Sequence, residues 1–285
     1  TPEAEETRPK RVSSAFSVWL GPAVVALAAL VALLLTLDGA AELEQAADAP
    51  GLTLDEIFNI EQGVYLWRSI VVEGPALWTP EGARRVFGHP GYHPDHPPLG
   101  RLLTGLCHDA TRRPPPAGDA APPYSLLAAR RASCILYALT ILLVGGVTAR
   151  WFGPTSGCVT AAAIALMPRL FAHAHLASLE TATNLALVAV VLWIGDRWTS
   201  VSSPASVDSK PPPLPGHWPL VMAGLLFGLA LLTKVQAILL PLPIGLWAAW
   251  RWGWKGIGLW IIWGAIGCAV CFVAWPWLWL DPANH

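Results

Sequence analysis

Seven apolar runs govern what this chain can fold into: Phe16–Leu37, Ala132–Ala149, Ser156–Met167, Leu176–Ile194, Leu220–Leu232, Ala237–Trp250 and Ile257–Trp275. A helix that crosses the hydrocarbon core of a bilayer needs about 20 such residues. The third, fifth and sixth runs reach that length only with their flanks. Charged residues make up 13% of the chain, about half the usual share of a soluble domain. Most of the 16 tryptophans stand near the ends of apolar runs, as in the aromatic belts of membrane proteins. The class expected is an all-α polytopic membrane protein of about seven transmembrane helices. A disordered chain, a coiled coil and a disulfide-stapled secreted domain are excluded. A net charge of −1 gives no footprint for nucleic acid, and membrane lipids are the expected surroundings.

Positive charge sets orientation. Residues 1–15, with Arg8, Lys10 and Arg11, read as a cytoplasmic segment before an uncleaved anchor helix. Residues 16–285 then form one transmembrane domain. With the N-terminus inside, Arg150, Arg197, Lys210, Arg251 and Lys255 also fall on the inner side. The short outer connections carry only Arg169 and Lys234. Residues 38–131 make a long outer loop, and residues 197–218 a Ser/Pro-rich inner linker. Gly224 and Gly228 form a small-xxx-small pair suited to a helix contact. The chain opens on Thr1 and stops at His285 just past an apolar stretch, so it reads as a piece of something longer.

The outer loop holds twelve of the 19 acids: Asp38, Glu42, Glu44, Asp48, Asp55, Glu56, Glu61, Glu73, Glu81, Asp95, Asp109 and Asp119. Most read as solvated surface. Asp55-Glu56 stands apart, because Leu52, Leu54, Ile57, Phe58 and Ile60 surround it. Ile57, Ile60, Val64 and Val71 recur at roughly helical spacing. The pattern predicts an amphipathic interfacial helix over Glu56–Val72 with Asp55 as its N-cap. A capping role and a proton-accepting role at the lipid–water boundary both fit Asp55 at this point.

Further along, His89, His93 and His96 with Asp95 supply metal-ligand residue types. The prolines among them give no helical ligand spacing and no Cys joins them, so spacing does not support a divalent metal and no cofactor is expected. The alternative is a stiff loop that presents His96 and Arg101 to an anion, which suits the fixed donor fork of Arg. Ionisable groups at membrane depth are functional suspects, and here they are Arg169, His173, His175, Glu180 and Lys234. Snorkelling explains Lys234 equally well, and a helix N-terminal charge explains Glu180. All five fall on the outer side with Asp55 and His96. That convergence suits a lipid-phosphate substrate and acid–base chemistry. A transporter or lipid flippase is the alternative, and it predicts charges spread through the membrane depth with helices broken at mid-span.

Asp55-Glu56 after a first helix, followed by His96-Pro97-Pro98-Leu99-Gly100-Arg101, resembles the C-type glycosyltransferases of the protein O-mannosyltransferase and aminoarabinose-transferase type. Pro168–Glu180, Gly228–Lys234 and Trp275–Pro282 are similar to later recurrent segments of that family, in the same order. The resemblance covers roughly Phe16–Pro282. It implies inverting transfer of a sugar from a polyprenyl-phosphate donor to an acceptor hydroxyl of a protein, lipid or glycan, on the outer face of a plasma membrane. By the matching motifs, Asp55 would be the general base and Glu56 its support. His96 and Arg101, with Arg169 and Lys234, would lie near the donor phosphate. His173, His175 and Glu180 belong to the matching segment at the start of the fourth helix, where many members carry Asp in place of Glu180. Members usually continue with further helices, so the chain is expected to be the front part of such an enzyme. Of the five cysteines, Cys268 and Cys271 read as small apolar packers, and Cys107 and Cys134 as a pair able to meet on the outer side.

Overall fold

The computed structural model describes residues 15–37, 53–112, 124–199 and 213–280, and every regular element among them is helical. In chain order they are α1 (Ala15–Thr36), α2 (Leu54–Glu73), a 3₁₀ turn (Gly74–Trp78), α3 (Pro80–Phe87), α4 (Pro98–Thr111) and α5 (Leu126–Phe152). Next come α6 (Pro154–Ala165), α7 (Pro168–Ala174), α8 (Glu180–Arg197) and α9 (His217–Thr233). A second 3₁₀ turn (Val235–Leu239), α10 (Pro241–Trp252), α11 (Trp254–Ala274) and α12 (Trp277–Leu280) complete them. The expected cytoplasmic segment and most of the inner linker lie outside the described residues.

All seven apolar runs fold as helices, but fewer than seven make a long uninterrupted span. Three helices are long and apolar enough to cross a membrane: Val18–Thr36, Leu126–Phe152 and Trp254–Ala274. The α6–α7 pair makes a fourth if a 66° bend is allowed within one span. The others fall short for local reasons. Proline has no N–H and fixes its own φ, so Pro154, Pro168 and Pro241 each open a new helix instead of continuing the last. At Gly153 (φ 95°) and Gly253 (φ 60°) the backbone turns through conformations that favour glycine. Helix α8 has 18 residues but gives three of its positions to Glu180, Asp196 and Arg197.

The helices form two packed groups under a common cap. Leu33, Tyr137, Ile141 and Ala161 join α1, α5 and α6. Val190, Phe227, Ile244 and Trp263 join α8, α9, α10 and α11. In the second group Gly224 and Gly228 admit Ile266 and Val270 of α11 against the α9 backbone, the close contact expected of the small-xxx-small pair. Large apolar side chains such as Val24, Leu27, Leu35, Ile261 and Val273 face outward on α1 and α11, as lipid contact requires. Helices α2, α3 and α4 cap one end, with Leu66, Phe87 and Tyr92 packed against Leu232 and Trp275. To that end come the last turn of α1, the first turns of α5 and α8, and the last turn of α9. Arg150 and Asp196 pair at the opposite end, 3.2 Å apart.

The cap depends on one close crossing. A Cβ at Gly63 of α2 would strike the Arg101 carbonyl, and one at Gly105 of α4 would strike the Gly63 carbonyl. Backbone therefore lies on backbone here, and Asp55, at the start of α2, is set relative to Arg101, in α4. Gly105→Ala should lower stability by about 2 kcal/mol through overpacking. Gly258→Ala in α11, where an added Cβ meets nothing within 4 Å, should raise it by about 1 kcal/mol. Thermal unfolding of the two variants checks the opposite signs.

Candidate functional site

The first turn of α2 separates two neighbouring carboxylates. Thr53 is the N-cap, so Asp55 is not the cap expected from the sequence but sits two residues into the helix. Its side chain is exposed. Glu56, one step round the helix, points inward and is 1% exposed. Its Oε1 accepts from Arg130 Nε at 2.8 Å and from the Ala177 backbone N–H at 2.7 Å. Its Oε2 accepts from an Arg130 terminal nitrogen at 2.9 Å and from the Thr53 N–H at 3.2 Å. One buried carboxylate thus ties together α2, α5 and the α7–α8 corner. The inward face of α2 is polar as well as apolar, since Asn59 and Gln62 are buried beside Ile60 and Val64.

Gln62 holds the histidine–proline loop. It donates to the Gly91 carbonyl at 2.9 Å and accepts from the His93 N–H at 3.0 Å. His89 lies against the Tyr65 ring and His93 against Phe58. Arg101, at the start of α4 and 1% exposed, is committed within the protein. It donates to both Asp95 oxygens at 2.8 Å, to the His93 carbonyl at 2.9 Å and to Asn59 Oδ1 at 3.3 Å. Its guanidinium also stands 5.0 Å from the Phe58 ring centre. Partial burial raises the Asp95 pKa, yet the Arg101 bonds and charge outweigh it and hold the carboxyl below its ordinary value. His96 is shifted down, first by desolvation and then by the Arg101 charge, which favours neutral imidazole. Its Nδ1 is buried without a partner.

The other wall comes from the far end of the chain. At the α7–α8 corner, Leu176–Glu180 lie beside the start of α2. Glu180 opens α8 and accepts from Lys234 Nζ at 2.8 Å on both oxygens. Lys234 stands where α9 ends in extended backbone (φ −161°, ψ 138°). Together these parts enclose a cavity of about 180 Å³, lined by Asp55, Glu56, Asp95, His96, Arg101, His173, Glu180 and Lys234 among others.

Seven of the nine residues singled out from the sequence line this one cavity. Two do not. Arg169 is exposed on α7, and His175 turns to α1, its Nε2 2.8 Å from Thr36 Oγ1. Arg101 lines the cavity with its donor fork engaged inside the protein. Its fork holds Asp95 and so positions the loop that carries His96. Arg130, on Glu56, and Asp95, on Arg101, are partners of the site that stand outside those nine. The signals were a charge inside the apolar first turns of α5 and an acid six residues before Arg101. Among the described residues no three His, Cys, Asp or Glu side chains converge as metal ligands. The five cysteines are all free. Cys107 and Cys134 are therefore not joined, and Cys134 donates instead to the Ala174 carbonyl.

Comparison with protein-family models, curated proteins and solved structures found no match to this chain. The chemistry of the cavity therefore rests on its own geometry. Removing one partner of a buried, fully hydrogen-bonded ion pair strands the other charge. Glu56→Gln should therefore cost about 3 kcal/mol of stability, read as a lowered unfolding temperature. Unchanged unfolding would show that the Glu56–Arg130 pair does not hold the site together.

Proposed function

We propose that this chain is part of a membrane glycosyltransferase that moves a sugar from a polyprenyl-phosphate donor to an acceptor hydroxyl by an inverting mechanism. The observation that carries the reading is the convergence of Asp55, His96, His173, Glu180 and Lys234, drawn from four separate segments, on one cavity at one end of the helices. An exposed carboxylate and a lysine sharing a cavity are what the reaction requires. Asp55 takes the proton of the acceptor hydroxyl as its oxygen attacks the anomeric carbon. The bond from that carbon to the phosphate oxygen breaks, and polyprenyl phosphate leaves with the electron pair. Lys234 and His96 stand where that negative charge develops, and preorganised donors at such a position stabilise the transition state. Glu56 is a positioning residue, because all its bonds go to the protein.

In the same reading α1, α5, α6 with α7, α8, α9, the second 3₁₀ turn with α10, and α11 are seven spans, and the cap lies on the outer face of a bacterial plasma membrane. Arg150, Arg197, Arg251 and Lys255 then stand at the inner side, as the charge rule asks. The concentration of paired charges at the capped end favours an enzyme over a transporter, whose path would place them through the depth. The acceptor is a protein, lipid or glycan hydroxyl. In the full-length protein, Asp55→Asn should reduce transfer from a polyprenyl-phosphate sugar by about 100-fold or more with insertion unchanged. Normal transfer by the inserted variant would overturn the assignment of the base.

A further inference from the structure

Arg101 and Lys234 line the cavity and Arg130 stands behind it on Glu56; each is held by a carboxylate, but the three pairs differ in how firmly. Arg130 and Glu56 are 5% and 1% exposed, and Glu56 has two further backbone donors. Arg101 is 1% exposed and fixed by Asn59, a backbone carbonyl and an aromatic ring besides Asp95. Neither pair can open without dismantling the cap. The third is built differently. Lys234 and Glu180 are 18% and 37% exposed. The only hydrogen bonds described for their charged groups are the two they make with each other. Lys234 extends from irregular backbone beyond the end of α9, and Glu180 stands partly exposed in the first turn of α8. Two imidazole nitrogens, His96 Nδ1 and His173 Nδ1, are buried without a partner, on side chains that line the same cavity.

We infer that Glu180 is a displaceable counter-ion whose place on Lys234 is taken by the phosphate of the donor. The inference rests on the phosphate-donor reading above. A partly exposed ion pair between two long side chains is worth little on its own, so a phosphate can compete for the ammonium. When it does, the partly exposed Glu180 carboxylate turns outward and Lys234 keeps a paired charge throughout. The exchange keeps the half-buried ammonium paired whether or not phosphate is bound. It also means that Glu180 opposes substrate binding. Deleting a charged residue of the cavity should then strengthen the binding of phosphate, the reverse of what a substrate-contacting residue would give.

The test is equilibrium binding to the full-length protein in nanodiscs, with polyprenyl phosphate, polyprenol and inorganic phosphate as separate probes. Glu180→Gln should bind polyprenyl phosphate about tenfold more tightly than wild type and polyprenol equally well. The gain should vanish when the same change is made in a Lys234→Gln background. Glu180→Asp, whose shorter side chain reaches Lys234 less well, should shift affinity in the same direction by less. It gives the same test if the Gln variant fails to accumulate. A matching gain for inorganic phosphate supports exchange at the bare anion, and a gain confined to polyprenyl phosphate supports exchange at a lipid headgroup. Equal or weaker binding by both Glu180 variants, or a gain that survives without Lys234, overturns the exchange and leaves the donor reading standing. Wild-type protein that binds polyprenyl phosphate no better than polyprenol overturns both.

Discussion

The structure hangs on the buried pair of Glu56 and Arg130. A carboxylate removed from water must find donors for its lone pairs, and Glu56 finds four, two from Arg130 and two from backbone N–H groups. Because those donors belong to the N-terminus of α2, to α5 and to the α7–α8 corner, satisfying one charge fixes three distant segments. The neighbouring Asp55 is thereby held at the edge of the cavity while remaining exposed. Burial of the first carboxylate is what leaves the second one available.

The same logic recurs through the cap. Arg101 fixes Asp95 and with it the loop bearing His96, and Gln62 fixes the middle of that loop through two backbone bonds. The Gly63–Gly105 crossing sets the distance between α2 and α4 on which both depend. Polar groups at this end are ordered by one another, and the apolar cluster of Leu66, Phe87, Tyr92, Leu232 and Trp275 seats the cap on the helices. Lys234 and Glu180 are the loosest members of the set, which is why exchange is assigned to them.

Much of this was legible in the sequence, for different physical reasons. The apolar runs located the helices because a long stretch without charge has no other stable arrangement in lipid. Their interruptions were less visible, since Pro154, Pro168 and Pro241 shorten helices that hydropathy alone treats as continuous. Asp55, Glu180 and Lys234 stood out as charges in apolar settings and His96 as part of a proline-stiffened loop, and the structure brings them to one cavity. The roles of Glu56 and Glu180 were not legible, because they depend on pairing across distant segments. Nothing local told that Arg130 would take Glu56, whereas Asp95 stands only six residues before Arg101. The N-cap was misplaced by two residues because Thr53 and Asp55 are both good caps, and burial of Glu56 decides between them.

The central claim is that Asp55 lies at an outward-facing cavity that a phosphate-linked donor occupies. The most direct measurement is labelling of Asp55→Cys, with the native cysteines replaced, by a membrane-impermeant maleimide in sealed vesicles of known orientation. The account predicts modification from the outer side alone and slower modification when a polyprenyl-phosphate sugar is bound. Modification from the cytoplasmic side, or a rate indifferent to the donor, would contradict it.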